Sequence, residues 1–340
     1  MHAIGYRLDA APYLFYMHVD AEGNVLRDIP IDTPDPTMQH DCALAGPHMV
    51  FVDPPLIFKP DAMVVRERER ERGGRMERGG TSVCVGRNPS PPPPFPLSQA
   101  SLTRMPFVYD TSRPLRIGLL PKGAAKDATV WYELPPAMIF HVANAWVDPA
   151  TPSLVRLFAC CFETFDLDLD TDGAAAFDGF ARLCEITLDT ATGRASRRVL
   201  TNLHGDFPVV PAKLVGSPTR YAYVATVDTA QAVPLFTGVA KIDLTAPDPA
   251  SAVVGHVHHG PGHHGGECAF VPDPARPGRE DGGFLVGYVH EEGSATSELV
   301  VYDAATMASA PVARVGLPAR VPFGFHVAHV AEAALGTQEA

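Results

Sequence analysis

Most of the chemistry open to this sequence lies in its 14 histidines. Three stand in one kind of setting. His40 lies in "TMQHDCALAGPHMVFVD", just ahead of an apolar strand; His141 lies in "AMIFHVANAWVD", inside one. His326 sits in the middle of "VPFGFHVAHV", residues 321–330, which reads as an apolar strand near the end of the chain. Each is a single imidazole among apolar residues, where an uncharged ring with a partner is tolerated. Two chemistries fit: three unrelated core histidines, or three ligands converging on one metal. Five more, His256, His258, His259, His263 and His264, fall in "GHVHHGPGHHGG". That tract has the composition of a metal box, but its glycines and proline leave no secondary structure to hold ligand spacing, so a solvated loop is expected. His2, His18, His48, His204, His290 and His329 are isolated, and surface or hydrogen-bonded core roles are expected of them. The six cysteines show no CxxC spacing and read as buried free thiols.

The elements that must position these residues read as short strands. Pro (34) and Gly (29) punctuate segments of five to eight residues. "YLFYMHV" turns at "DAEGN" into "VLRDIPID", "CEITL" at "DTATG" into "RASRRVL", "VAKIDL" at "TAPDPA" into "SAVVGHV", and "ELVVY" at "DAATMASA" into "PVARVGL". An aspartate stands at or near each turn, where its short side chain can bond the local backbone. Asp189, Asp243 and Asp303 recur at a period of roughly 55–60 residues. A hairpin repeating at this period suggests an all-β chain of propeller blades; an ordinary β-sandwich with similar hairpins is the alternative. "AAAFDGFARLCE" is the one candidate for a short helix. In a propeller the innermost strand of every blade faces one axis, so histidines far apart in sequence can meet there.

Composition narrows the partners. With 27 basic against 39 acidic residues the net charge is -12, which argues against nucleic-acid binding. No apolar run is long enough to span a bilayer. The opening "MHAIGYRLDAAPYLFY" lacks the basic flank and apolar core of a signal peptide. It reads as a strand already under way and suggests missing upstream sequence. Residues 66–103 run from alternating charges through glycine pairs to four consecutive prolines. Such a segment cannot bury enough apolar surface to offset its ordering entropy, so a disordered insertion in a single domain over 1–340 is expected. An SH3-type ligand is the functional alternative for the proline tract.

At the three histidines the sequence resembles the carotenoid cleavage dioxygenase family, with plant epoxycarotenoid-cleaving members most similar. "MQHDCAL" followed by "VFVDPPLIF" resembles a Met-His-Asp-Phe-Ala segment and the strand after it. "FHVANAW" resembles Phe-His-x-x-Asn-Ala-Trp/Tyr, and "RVPFGFH" resembles Arg-Val-Pro-Tyr-Gly-Phe-His. "HHGGECAFVPDPARPGREDGGFLVGYVHEE" follows the family's Gly-Gly-Glu-Pro block. The resemblance implies a seven-bladed β-propeller with non-haem Fe(II), Fe(2+), held on its axis by four histidines, of which His40, His141 and His326 would be three. It implies cleavage of one C=C bond of a carotenoid or apocarotenoid with O2, giving two carbonyl products. It further implies peripheral membrane contact through an apolar patch and, from plant members, a plastid location. Glu267 matches one of three glutamates that orient the histidines. Asp206, in "HGDFPVV", stands where a second is usually Glu; one methylene shorter, it is expected to reach through water or to hold its histidine less well.

The departures are specific. The family's first histidine and third glutamate would precede Met1, so early blade material is expected to be missing. Val147, Cys268 and Cys42 replace Glu, Pro and Phe. A truncated product or imperfect gene model with a retained intron is the expectation, with a shortened relative that has lost activity as its rival. With three imidazoles, reduced or no turnover is expected of this chain alone. The functional alternative is a non-catalytic propeller that binds an apolar ligand or a protein partner.

Overall fold

The computed structural model describes residues 1–59, 106–165, 179–230, 235–322, 326–332 and 335. The insertion at 66–103 lies outside the described residues. The strands fall into consecutive meanders. The first sheet is β1 (His2–Tyr6), β2 (Leu14–Val19) and β3 (Val25–Ile31). Next come β4 (Cys42–Ala45), β5 (His48–Asp53), β6 (Leu56–Phe58), β7 (Phe107–Tyr109), β8 (Leu115–Pro121) and β9 (Val130–Leu134). Among these, β4-β5-β8-β9 form one sheet and β6-β7 a small separate pair. The third sheet is β10 (Met138–Val147), β11 (Leu154–Phe162), β12 (Arg182–Asp189) and β13 (Arg194–Val199). The fourth is β14 (Gly205–Val209), β15 (Tyr221–Val227), β16 (Phe236–Asp243) and β17 (Val253–His258). The fifth contains β18 (His263–His264), β19 (Ala269–Pro272), β20 (Gly283–Glu291), β21 (Thr296–Asp303) and β22 (Ala313–Gly316). In the last four sheets the first strand lies at an edge, and β10 touches both β4 and β14. Successive sheets thus set their first strands side by side around an axis, the arrangement of a β-propeller.

The core lies between the blades. One cluster joins Leu14 and Ile31 to Met49 and Phe51; the next joins Val50 and Ile117 to Leu157 and Ile186. A third joins Phe158 and Leu183 to Val224 and Ile242, and a fourth joins Tyr223 and Val257 to Leu285 and Tyr302. β11 shows why its sequence "LVRLFACCF" is nearly all apolar. Val155, Leu157, Ala159 and Cys161 face one neighbouring blade while Phe158, Cys160 and Phe162 face the other. A strand with period-two side chains and two covered faces must be apolar on both. Each fully buried side chain of this kind contributes ~1.5–3 kcal/mol.

The four hairpins fold as the sequence indicates, and their turn aspartates bond the local backbone. Asn24 N–H donates to Asp20 at 2.8 Å, Ala191 N–H to Asp189 at 3.0 Å, Thr245 N–H to Asp243 at 2.9 Å and Ala305 N–H to Asp303 at 2.9 Å. Three expectations are corrected. Residues 179–181 are not helical and Arg182 opens β12, because "RLCEITL" pairs with both β11 and β13; residues 174–178 lie outside the described residues. In the segment 321–330 the described residues form no strand; Val321 N–H bonds Ser297 Oγ at 2.9 Å and Val327 N–H bonds Glu267 Oε2 at 2.7 Å. The tract "GHVHHGPGHHGG" is not a solvated loop, since β17 and β18 take up its two ends and His259 and His264 are buried.

His259 carries a pH consequence. It is 4% exposed, its Nδ1 lies 3.0 Å from the Tyr302 hydroxyl, and Gly265 leaves room for its Nε2 edge. Burial, then the charge of Arg314, pushes its pKa from 6.5 down to about 4. The unfolded chain therefore binds a proton that the folded chain refuses. This contribution to stability is complete above pH 6.5 and is lost as pH falls towards about 4, a change of ~3 kcal/mol. Urea unfolding at about pH 7 and about pH 4.5 should show this loss, and His259→Phe should reduce it. An undiminished loss in the variant would assign it to other groups.

Candidate metal centre

His40 stands in the loop before β4, and its approach is anchored from below. Asp53, 2% exposed, accepts from Thr37 Oγ1 at 2.6 Å, Gln39 Nε2 at 3.1 Å and Arg116 Nε at 2.8 Å. A buried carboxylate must be paired, and here the pairing fixes the loop that presents His40. The His40 ring then donates from Nδ1 to the Phe140 carbonyl at 3.0 Å.

His141 lies on β10, whose register shifts between Ile139 and Val142 and again between Val142 and Asn144. Such a bulge re-aims side chains and frees backbone groups next to sites. Asn144 secures the strand just beyond. Its Nδ2 donates to the carbonyls of Leu214 and Ser217, and its Oδ1 accepts from Ala145 and Gly216 N–H. The Asn of "FHVANAW" is thus a structural tie to the neighbouring blade.

His141 Nδ1 meets Asp206 Oδ1 directly at 2.9 Å, with no bridging water required by the geometry. Of the two expectations for the shorter Asp206, a reach through water or a less well held histidine, this direct contact overturns the first. The backbone compensates for the missing methylene. β14 shifts register between Asp206 and Val209, and Phe207 adopts a left-handed φ of 53°. Phe207 N–H also donates to Asp206 Oδ1, at 2.9 Å. The Phe207 ring packs 4.7 Å from His141 and 5.5 Å from His326.

His326 donates from Nδ1 to Glu267 Oε2 at 3.2 Å, and Val327 N–H reaches the same oxygen at 2.7 Å. Its side chain is 55% exposed, so the imidazole is not enclosed as the apolar sequence around it suggests. Beside it a cavity of about 150 Å3 is lined by His264, Glu267, Tyr288, His290 and Ser297.

The three rings converge. His141 lies between the others, 4.9 Å from His40 and 5.0 Å from His326 between centroids, while His40 and His326 are 6.3 Å apart. One ligand-capable nitrogen of each lies within 4.8 Å of the other two. Every Nδ1 faces a carbonyl or carboxylate oxygen, which only accepts, so each ring carries its proton there and its lone pair on Nε2. The Nε2 atom of His141 is buried with no hydrogen-bond partner. A buried orphan acceptor beside two imidazoles whose Nδ1 atoms likewise face protein acceptors fits a divalent metal; such nitrogen donors suit Fe, Zn, Cu and Ni alike.

Electrostatics differ across the three. Burial, then the proximity of His141, lowers the pKa of His40. Burial would lower His141 too, but its hydrogen bond and charge attraction to Asp206, aided by Asp41 and Glu267, outweigh it and raise its pKa. Sequence reasoning singled out all five side chains of this constellation but not Phe140 O, Phe207 or Asp41. A carbonyl has no sequence signature, and "DFP" and "HDC" carried only the signal of motif neighbours.

A β-propeller in which three histidines far apart in sequence converge defines the class of protein. The family described as Retinal pigment epithelial membrane protein (RPE65) matches residues 1–331, and the chain belongs to this family, the carotenoid oxygenases. The chain is 33% identical to carotenoid 9,10(9',10')-cleavage dioxygenase 1 of Pisum sativum, over 99% of this chain and 57% of that protein. It is 29% identical to the chloroplastic 9-cis-epoxycarotenoid dioxygenase NCED6 of Arabidopsis thaliana, over 99% of this chain and 50% of the relative. Cobalt-substituted Synechocystis ACO superposes with a TM-score of 0.69 at 20% identity, covering 92% of this chain and 57% of the other. The chain spans about half the length of the curated relatives it matches.

Proposed function

We propose that the chain carries part of a non-haem Fe(II) dioxygenase that cleaves a C=C bond of a carotenoid or apocarotenoid with O2. One observation carries the reading: three imidazoles, each held through Nδ1 by a protein acceptor, converge within 4.8 Å. The names of the relatives, carotenoid cleavage dioxygenases, supply the substrate class. His40, His141 and His326 would hold the metal. Bound there, Fe(II) would supply activation of O2, the chemistry that places one oxygen atom on each carbon of the double bond and gives two carbonyl products. Asp206 and Glu267 keep the Nδ1 protons of His141 and His326 in place, which holds both rings in the ligating tautomer. Phe140, 5.1 Å from the His40 ring, and Phe207 wall the imidazoles and exclude water from one side. The reading includes a plastid location, which relatives named chloroplastic support, and contact with a membrane surface, which the lipid solubility of the substrate supports. Among the described residues no helix is long and apolar enough to cross a membrane.

Three imidazoles hold a divalent metal less firmly than four, so weak iron binding and reduced turnover are expected of the 340-residue chain alone. The test is anaerobic Fe(II) titration followed by incubation with zeaxanthin and O2, reading products by mass spectrometry. No Fe(II) binding at all would sink the metal reading and leave a non-catalytic propeller. Brisk formation of two aldehydes at one iron per chain would overturn the impairment.

A further inference from the structure

Asp41 hydrogen-bonds no imidazole, yet it connects two histidines of the centre. Its Oδ1 accepts from Cys42 N–H at 2.7 Å and its Oδ2 from Val142 N–H at 2.7 Å. Val142 follows His141, on the edge strand of its blade, where an outward N–H has no ladder partner. One residue before Asp41, the His40 ring bonds the carbonyl of Phe140, the residue preceding His141. Two consecutive side chains from one blade therefore grip the peptide groups on either side of a histidine in the next blade. One donates and the other accepts, so His40 cannot slide along β10 without breaking both.

We propose that Asp41 is a positioning residue that sets the distance and angle between His40 and His141, and so the affinity and geometry of the metal they share. The inference rests on the metal reading above. The carboxylate form is required because two N–H groups use its two different oxygens. Asparagine offers one oxygen, and would set its NH2 group against the remaining N–H. The same device recurs on the other side, where Glu267 takes both the His326 ring and Val327 N–H. There the carboxylate touches the imidazole itself; Asp41 touches only backbone and acts through register.

The experiment uses Co(II) as probe with the full chain, followed by its visible absorption and by thermal unfolding with and without metal. Asp41→Asn should weaken Co(II) binding at least tenfold, change the shape of the ligand-field bands, and shrink the metal-induced rise in Tm. In a His40→Ala background the same substitution should have little further effect on affinity, since its route through His40 is gone. A purely structural Asp41 would lower Tm equally with and without Co(II) and leave bands and affinity unchanged, which would overturn the proposal. Should the variant not fold, amide exchange in the wild-type chain decides. Protection of Val142 should increase on Co(II) loading, because metal and tie stabilise one arrangement, and unchanged protection overturns the proposal. Failure of the wild-type chain to bind Co(II) would instead refute the metal reading itself.

Discussion

Replacing His141 with alanine is expected to abolish metal binding. Its ring lies between the other two, about 5 Å from each, whereas His40 and His326 stand 6.3 Å apart and are both open to solvent. Two exposed imidazoles at that separation make a poor chelate. The loss should exceed the ~10–100-fold that follows removal of a ligand's hydrogen-bond partner. Asp206 would keep its bond from Phe207 N–H but lose the ring, at a cost of about 1–3 kcal/mol in the metal-free chain. Calorimetric Fe(II) or Co(II) titration checks the first effect and urea unfolding the second. Retention of wild-type affinity would place the metal elsewhere.

Asp206→Asn should give the second largest effect, and one with a pH signature. Asp206 raises the pKa of His141 against the opposing pull of burial. A raised pKa means that protons compete with metal for His141 from a higher pH. The variant keeps the burial and loses the charge, so the His141 pKa should fall and the competition should move to lower pH. At about pH 7.5 metal affinity should drop roughly tenfold, as the imidazole becomes a weaker ligand. Between about pH 6 and 7.5 the dependence of affinity on pH should flatten. In the metal-free wild type the same pair stabilises the fold fully below pH 6.5, and its contribution fades as pH rises through the raised pKa. Co(II) titrations at the two pH values test this; equal affinity and equal slope in variant and wild type would dismiss Asp206 as the partner that tunes His141.

The repeated hairpins show how far local pattern reaches. Asp189, Asp243 and Asp303 mark turns because an Asx side chain competes for nearby N–H groups wherever it falls, a property of three or four residues. The nearly unbroken apolar run of β11 is likewise the local pattern of a strand buried on both faces. The direct reach of Asp206 to His141, by contrast, depends on a register shift and a left-handed Phe207 that no residue type in "HGDFPVV" dictates.

What the sequence by itself determined is the four aspartate-turned hairpins and which side chains are chemically able to ligate, since these follow from side-chain period, turn chemistry and residue type. Only the tertiary structure decided that His326 is solvent-exposed on a non-strand segment, that β17 and β18 order the ends of the histidine-rich tract, and that Asp41 and Phe140 lock His40 against His141. The reason is physical. Those outcomes turn on which backbone N–H and C=O groups are left unpaired at blade edges, and pairing across blades is a property of the assembled sheets that no local stretch of chain encodes.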